Sequence, residues 1–135
     1  MTYYKFLYFG DGGTGKTHQV RKLDGKTIRQ HENGVDFSLN LVVNGEPCEI
    51  EITESNSIFN PYSYDGVIYT FSGVPYESRI NSYDSKTPLC ILPGFNSKQN
   101  SCKSIANGNC KIFQNSSCLR EVLEYLVKIQ IQSKL

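Results

Sequence analysis

From Asp36 to Thr53 the apolar residues fall on every second position, first in DFSLNLVV and again in CEIEIT. That period predicts two half-buried strands. Asn44-Gly45 lies between them and predicts a tight type I′ turn, because both central residues of that turn need positive φ. Tyr3 to Phe9 is aromatic and nearly uncharged, and reads as a buried strand; Gly66 to Phe71 (GVIYTF) and Leu89 to Leu92 (LCIL) read as shorter ones. A helical period occurs in two places. THQVRKL predicts a short helix with Val20 and Leu23 inward, and CLREVLEYLVKIQIQ sets Leu119, Val122, Leu123, Leu126 and Val127 on one stripe, with Ser116 or Ser117 as N-cap. KTIRQHENG is polar throughout and reads as an exposed loop. ESNSIFNPYSYD carries Pro61, which argues against a full helix, and Tyr76 to Tyr83 allows at most a brief one. Pro93 to Asn109 has no period.

The chemistry sits where the first strand meets the first helix. GDGGTGKT, Gly10 to Thr17, matches the phosphate-binding pattern G-x-x-x-x-G-K-S/T without a gap. Glycines at 10, 12, 13 and 15 let successive backbone N–H groups converge on phosphate oxygens. Lys16 would reach the outer phosphates, the Thr17 hydroxyl would ligate magnesium, and the helix start would add its positive dipole end. The phosphate-binding set is therefore Gly10, Asp11, Gly12, Gly13, Thr14, Gly15, Lys16, Thr17 and His18, with Thr17 the metal ligand. A glycine-rich turn with no ligand is the plainer alternative. Strands separated by crossovers, with such a loop after the first, predict a mostly parallel α/β sheet whose ligand lies at the strands' carboxyl ends. Two crossovers leave little room for helices, so one face is partly bare, or loops and a partner cover it.

Composition narrows the classes. At 135 residues the chain fits a single domain, 1–135, with a modest core. A formal charge of +1 gives no field that draws nucleic acid or an anionic membrane. Five cysteines form no C-x-x-C pair, which reads as reduced thiols in a cytoplasmic protein, Cys48 and Cys90 packed in strands. His18 and His31 have no partner at ligand spacing and read as solvated or lightly packed side chains. Asn115-Ser116-Ser117 fits a glycosylation acceptor by chance, there being no secretory segment.

YKFLYFGDGGTGKT, and after it ENGVDFSLNLVVNGEPCEIEI, resemble the Ras superfamily of small GTPases, its Ran branch most closely and its Rab branch next. The resemblance runs more weakly through GVIYTF, PLCIL and the last helix; its specific part is about the first third. It implies a reduced P-loop fold of the small GTPase kind: a mostly parallel sheet of five or six strands with few helices and an antiparallel hairpin. It also implies GTP or GDP held with magnesium at Gly10 to Thr17, Gly12 standing where the family needs glycine for hydrolysis. Glu32 stands where the family has its switch I threonine. Glu54-Ser55-Asn56-Ser57-Ile58 replaces D-T-A-G-Q, leaving Glu54 as the magnesium-side carboxylate and no glutamine to orient water. Around Gly94-Phe95-Asn96-Ser97-Lys98 no acidic residue stands to select guanine. Phe95, Asn96 and Lys98, with Asn115 and Ser116 in place of S-A-K, are what is left to hold the base.

Three functions follow from that mixture. The first is a guanine-nucleotide-binding protein that hydrolyses slowly or not at all. The second is a pseudo-GTPase that mimics or competes with a cellular transport GTPase, its partners being proteins of nuclear or vesicle transport. The third is a small P-loop ATPase or kinase, for which no arginine cluster suited to a lid is found. The chain carries no C-a-a-X prenylation cysteine and no acidic Ran-type tail, which implies an unanchored monomer in the cytoplasm or nucleus; Ser133-Lys134-Leu135 spells a peroxisomal address as an alternative.

Overall fold

The computed structural model of the chain describes residues 2–10, 15–32, 34–56, 60–71, 86–93, 110–114 and 117–133. Its strands are β1 (Thr2–Gly10), β2 (Lys26–His31), β3 (Gly34–Val43), β4 (Glu46–Ser55), β5 (Gly66–Thr70), β6 (Leu89–Ile91) and β7 (Cys110–Ile112). Its helices are α1 (Lys16–Lys22) and α2 (Leu119–Ser133), and a single 3-10 turn spans Pro61–Ser63.

The alternating segments pair as their period requires. β3 and β4 form a long antiparallel hairpin closed by Val43↔Glu46, and its turn residues Asn44 and Gly45 both have positive φ, 52° and 79°. β4 then lies parallel to β1, β1 parallel to β5, β5 to β6 and β6 to β7. All seven strands make one sheet in the order β2-β3-β4-β1-β5-β6-β7.

This overturns the expected small GTPase-like α/β architecture of five or six mostly parallel strands. The sheet is mixed and seven-stranded, with an antiparallel block of β2, β3 and β4 at one end, and the described residues hold only two α-helices. The polar segment expected as a loop, KTIRQH, is a strand because a tight reversal returns it along the edge of β3; its side chains are exposed throughout, so it never needed apolar alternation. A register irregularity between Thr27 and Arg29 breaks the edge ladder, and lysine and arginine stand beside it. Both features blunt an edge against further pairing. Between β4 and β5 the described residues carry only the turn at Pro61, whose ring and missing N–H suit a tight turn better than a helix interior.

The two faces of the sheet differ. Tyr4, Phe6, Tyr8, Phe37, Leu39, Leu41, Ile50, Ile52 and Ile68 point to one face, where Val20 of α1 and the stripe of α2 cover them. All five stripe residues of α2 are fully buried, each stabilising by about 1.5–3 kcal/mol before entropy is counted. Leu23 is only partly buried. The opposite face is apolar under β1, β5 and β6, where Leu7, Phe9, Val67, Tyr69 and Ile91 cluster, and polar under β3 and β4, where Asp36, Glu51 and Thr53 are buried. Cys48 and Cys90 are packed as expected, and burial pushes both thiols up, that of Cys90 to about 12. Cys118, not a serine, immediately precedes the first residue of α2. The brief helix considered at 76–83 lies outside the described residues.

Candidate functional site

β1, β4 and β5 run parallel, so their carboxyl ends share one edge of the sheet. Gly10 ends β1 there, at φ 154° and paired with Thr70. A Cβ at this position would sit 1.9 Å from the Thr70 carbonyl oxygen, so only glycine lets the chain leave the sheet at this point. Gly15 then takes a left-handed conformation, φ 86° and ψ 20°, and its carbonyl accepts from the Gln19 N–H at 3.0 Å to start α1.

The first turn of α1 delivers the lysine and threonine of the loop. Lys16 is buried, and its Nζ donates to the Gly10 carbonyl at 2.9 Å and to Asn56 Oδ1 at 3.4 Å. The ammonium is thus held between the last residue of β1 and the residue that follows β4. Thr17 Oγ1 lies 2.7 and 2.9 Å from the two carboxylate oxygens of Glu54, to which it donates. Glu54 is placed by register, opposite Tyr8 on β1 and Val35 on β3. Its charge reaches Tyr8, whose phenol is pushed up first by burial and then by Glu54, against a hydrogen bond with Thr70.

Of the residues singled out in the sequence, Gly10, Gly15, Lys16, Thr17 and Glu54 therefore converge. His18 follows on α1 with its side chain exposed. Asp11, Gly12, Gly13, Thr14, Ser57, Ile58, Phe95, Asn96, Lys98, Asn115 and Ser116 lie outside the described residues. Among the described residues no cluster of three or more His, Cys, Asp or Glu is arranged to hold a metal ion. A magnesium ion does not need one, because it commonly keeps several waters and takes few protein ligands beside phosphate oxygens. A threonine hydroxyl hydrogen-bonded to one carboxylate is a donor set that fits it.

A cleft of about 420 Å³ at this end of the sheet is lined by Gln30, His31 and Glu32, by Gly34 and Val35, and by Glu54, Ser55 and Asn56. His31 is exposed, yet it has a side-chain partner that its sequence neighbours did not reveal. The tight reversal between β2 and β3 brings its Nε2 to 3.0 Å from Asp36 Oδ1. Asp36 Oδ1 also accepts from Thr53 Oγ1 at 2.7 Å, and Oδ2 from Arg29 Nε at 3.0 Å. Burial works to raise the Asp36 carboxyl, but the hydrogen bonds from His31, Thr53 and Arg29 outweigh it and hold it below its ordinary value. Arg29 also pairs with Glu51, whose other oxygen is 3.6 Å from Lys5 Nζ.

Asn56 and the His31–Asp36 pair went unnoticed in the sequence. For the pair a signal was present: Asn33-Gly34 follows KTIRQHE and is a turn dipeptide that favours a reversal there, and the pairing of His31 with Gly34 sets His31 and Asp36 on neighbouring strands. None of the described helices is long and apolar enough to cross a membrane. Compared with known proteins, the sequence matches no family model, and no curated protein is significantly similar to it.

Proposed function

We propose that the chain binds the phosphates of a nucleotide with magnesium at the carboxyl ends of β1 and β4, and hydrolyses the nucleotide slowly or not at all. The observation that carries this reading is the hydroxyl of Thr17 resting on the Glu54 carboxylate, directly after a buried lysine at the mouth of a glycine-rich loop. A hydroxyl and a carboxylate so paired are the protein's half of a magnesium site next to bound phosphates, and the lysine is its counter-charge. Thr17 would be the direct ligand, and Glu54 would accept a hydrogen bond from a metal-bound water. Magnesium supplies Lewis acidity toward the phosphate oxygens when bound. Lys16 neutralises the outer phosphates. The resemblance to Ras-superfamily loops favours GTP or GDP, although the loop reads phosphates and no acidic residue at 94–98 selects the guanine base. Slow turnover follows from Ile58, which has no group to orient water, and from Glu32, which brings negative charge where the family has a neutral hydroxyl.

The test is titration calorimetry with GTP, GDP and ATP in magnesium, together with mass spectrometry of nucleotide carried through purification. Binding of at least one of the three is the expected outcome, guanine selectivity meaning that other residues replace the missing aspartate; no binding to any of the three sinks the reading.

A second reading has its own observation. Lys16 and Thr17 already have protein partners in Gly10, Asn56 and Glu54, so both side chains are satisfied internally. A pseudo-GTPase that competes with a transport GTPase for protein partners needs nothing more. Retained partner binding by a chain that takes up no nucleotide is the result that favours it.

A further inference from the structure

β2 has no apolar anchor. All six of its side chains are exposed, and its ladder with β3 is interrupted between Thr27 and Arg29. Charge fastens it instead. Arg29 stands opposite Asp36 and bridges two carboxylates, its Nε donating to Asp36 Oδ2 at 3.0 Å and its Nη2 to Glu51 Oε1. His31 Nε2 lies 3.0 Å from the other oxygen of Asp36. The two halves of this clasp differ in their access to water: the Asp36 and Glu51 side chains are only 8% and 7% exposed, whereas Arg29 is 57% and His31 35% exposed. The carboxylates are therefore fixed in the sheet, and the cations that grip them ride on the strand. Asp24, at φ 59°, and Gly25 directly precede β2, and such residues absorb a backbone rotation at small cost. Lifting β2 does not strand the two acids either. Thr53 stays on Asp36 and Lys5 on Glu51, and water reaches both carboxylates once the strand is off.

We propose that β2 is a strap that lifts from β3 as a unit while the rest of the sheet stays folded, and that the clasp of Arg29 and His31 on Asp36 and Glu51 sets how often it lifts. Gln30 and His31 at the end of β2, and Glu32 just after it, line the cleft, so each lift widens the cleft and frees the outer edge of β3. Partial unfolding of this kind costs less than unfolding the domain wherever a segment buries little apolar surface. Because the cations of the clasp are partly in water, dissolved salt weakens their hold on the carboxylates. The strap is thus a salt-sensitive device, and it works in the chain alone, whether or not a nucleotide binds.

The experiment is hydrogen exchange of the full chain, resolved by residue with NMR, without added ligand. Successive amides of a strand point to opposite neighbours, so β3 reports on both of its sides. The amides of β2, and those of β3 that face it, are expected to exchange together, about tenfold or more faster than the β3 amides that face β4. Low urea should leave that fast exchange unchanged, because little surface is exposed. Raising salt from about 0.1 to about 1 M shortens the Debye length from about 10 to about 3 Å and should speed β2 roughly threefold against the β3–β4 amides. Arg29→Met removes two hydrogen bonds to carboxylates and should speed β2 about tenfold or more. Lys26→Met takes a charge from the same strand outside the clasp and should stay within about twofold of the native chain. The salt series needs no substitution, so it decides even where Arg29→Met does not fold. β2 amides that exchange only as slowly as those between β3 and β4 would overturn the strap. Exchange that ignores salt, or an Arg29→Met chain no faster than Lys26→Met, would overturn the control by the clasp.

Discussion

Replacing Lys16 with methionine keeps the buried aliphatic stem and removes only the ammonium. In the free protein the loss is the donor to the Gly10 carbonyl at 2.9 Å and the longer contact to Asn56 at 3.4 Å. A charge-assisted hydrogen bond contributes roughly 1.5–3 kcal/mol. Part of that is offset because a buried charge no longer has to be desolvated, so the net cost in stability is about 1–2 kcal/mol. That corresponds to a fall in Tm of roughly 3–10 °C for a domain of this size. Nucleotide binding should suffer more. A unit charge about 3 Å from a phosphate oxygen attracts it by roughly 5 kcal/mol at an effective dielectric constant of about 20. Allowing for desolvation, about 3–4 kcal/mol is lost, a weakening of about 100- to 1,000-fold in Kd. Calorimetric titration with GDP in magnesium reads the affinity, and a thermal melt of the same sample reads the fold. A Lys16→Met chain that melts cooperatively and binds GDP as well as the native one would refute the role of the lysine.

Three further perturbations probe other links. Gly10→Ala drives a Cβ into the Thr70 carbonyl, 1.9 Å away, and should destabilise by about 3 kcal/mol or more, since β1 and β5 must part; a urea midpoint within error of the native one would show that the close approach is not real. Asp36 has a carboxyl held below 3.8 in the folded chain, so between that folded value and 3.8 the unfolded chain binds more protons. Its stabilisation is present above 3.8 and lost as pH falls through the folded value, so the acid limb of a stability-versus-pH curve should flatten in Asp36→Asn, and an unchanged limb would mean that the carboxylate contributes nothing. Ile58→Gln alone should not raise GTP turnover, because Glu32 and Ser57 remain; a rate increase of about tenfold or more would show that the missing glutamine is the sole defect.

What could be read in the sequence followed from period and from one motif. The β3–β4 hairpin, the stripe of α2 and the strand-loop-helix around Lys16 are each specified by residues close together in the chain, and Glu54 was singled out only through the resemblance, where the small GTPases have their magnesium-side aspartate. β2 was not legible as a strand, since no residue in KTIRQH is buried; what secures it is pairing along β3, and Arg29 and His31 set against Asp36 and Glu51. β7 is too short to carry a period and takes its conformation from its register on β6. The architecture was misjudged partly for the same reason: β2 extends the expected antiparallel hairpin to a block of three strands, and β7 adds a further strand at the other edge. The His31–Asp36 contact depends on β2 and was lost along with it.

β1 has no neighbour that is close to it in sequence: Thr2 pairs with Cys48 on one side and Gly10 with Thr70 on the other. During synthesis, then, β1 waits for its sheet neighbours β4 and β5, which are made later. The β3–β4 hairpin, closed by a two-residue turn, is the part able to form on the microsecond scale of local pairing, whereas docking β1 waits for long-range closure. Since the glycine-rich loop takes its anchorage from Gly10 against Thr70 and from Thr17 against Glu54, the site nearest the start of the chain is among the last to be assembled. A nucleotide present at that moment would act late, by trapping the docked first strand rather than by guiding its formation.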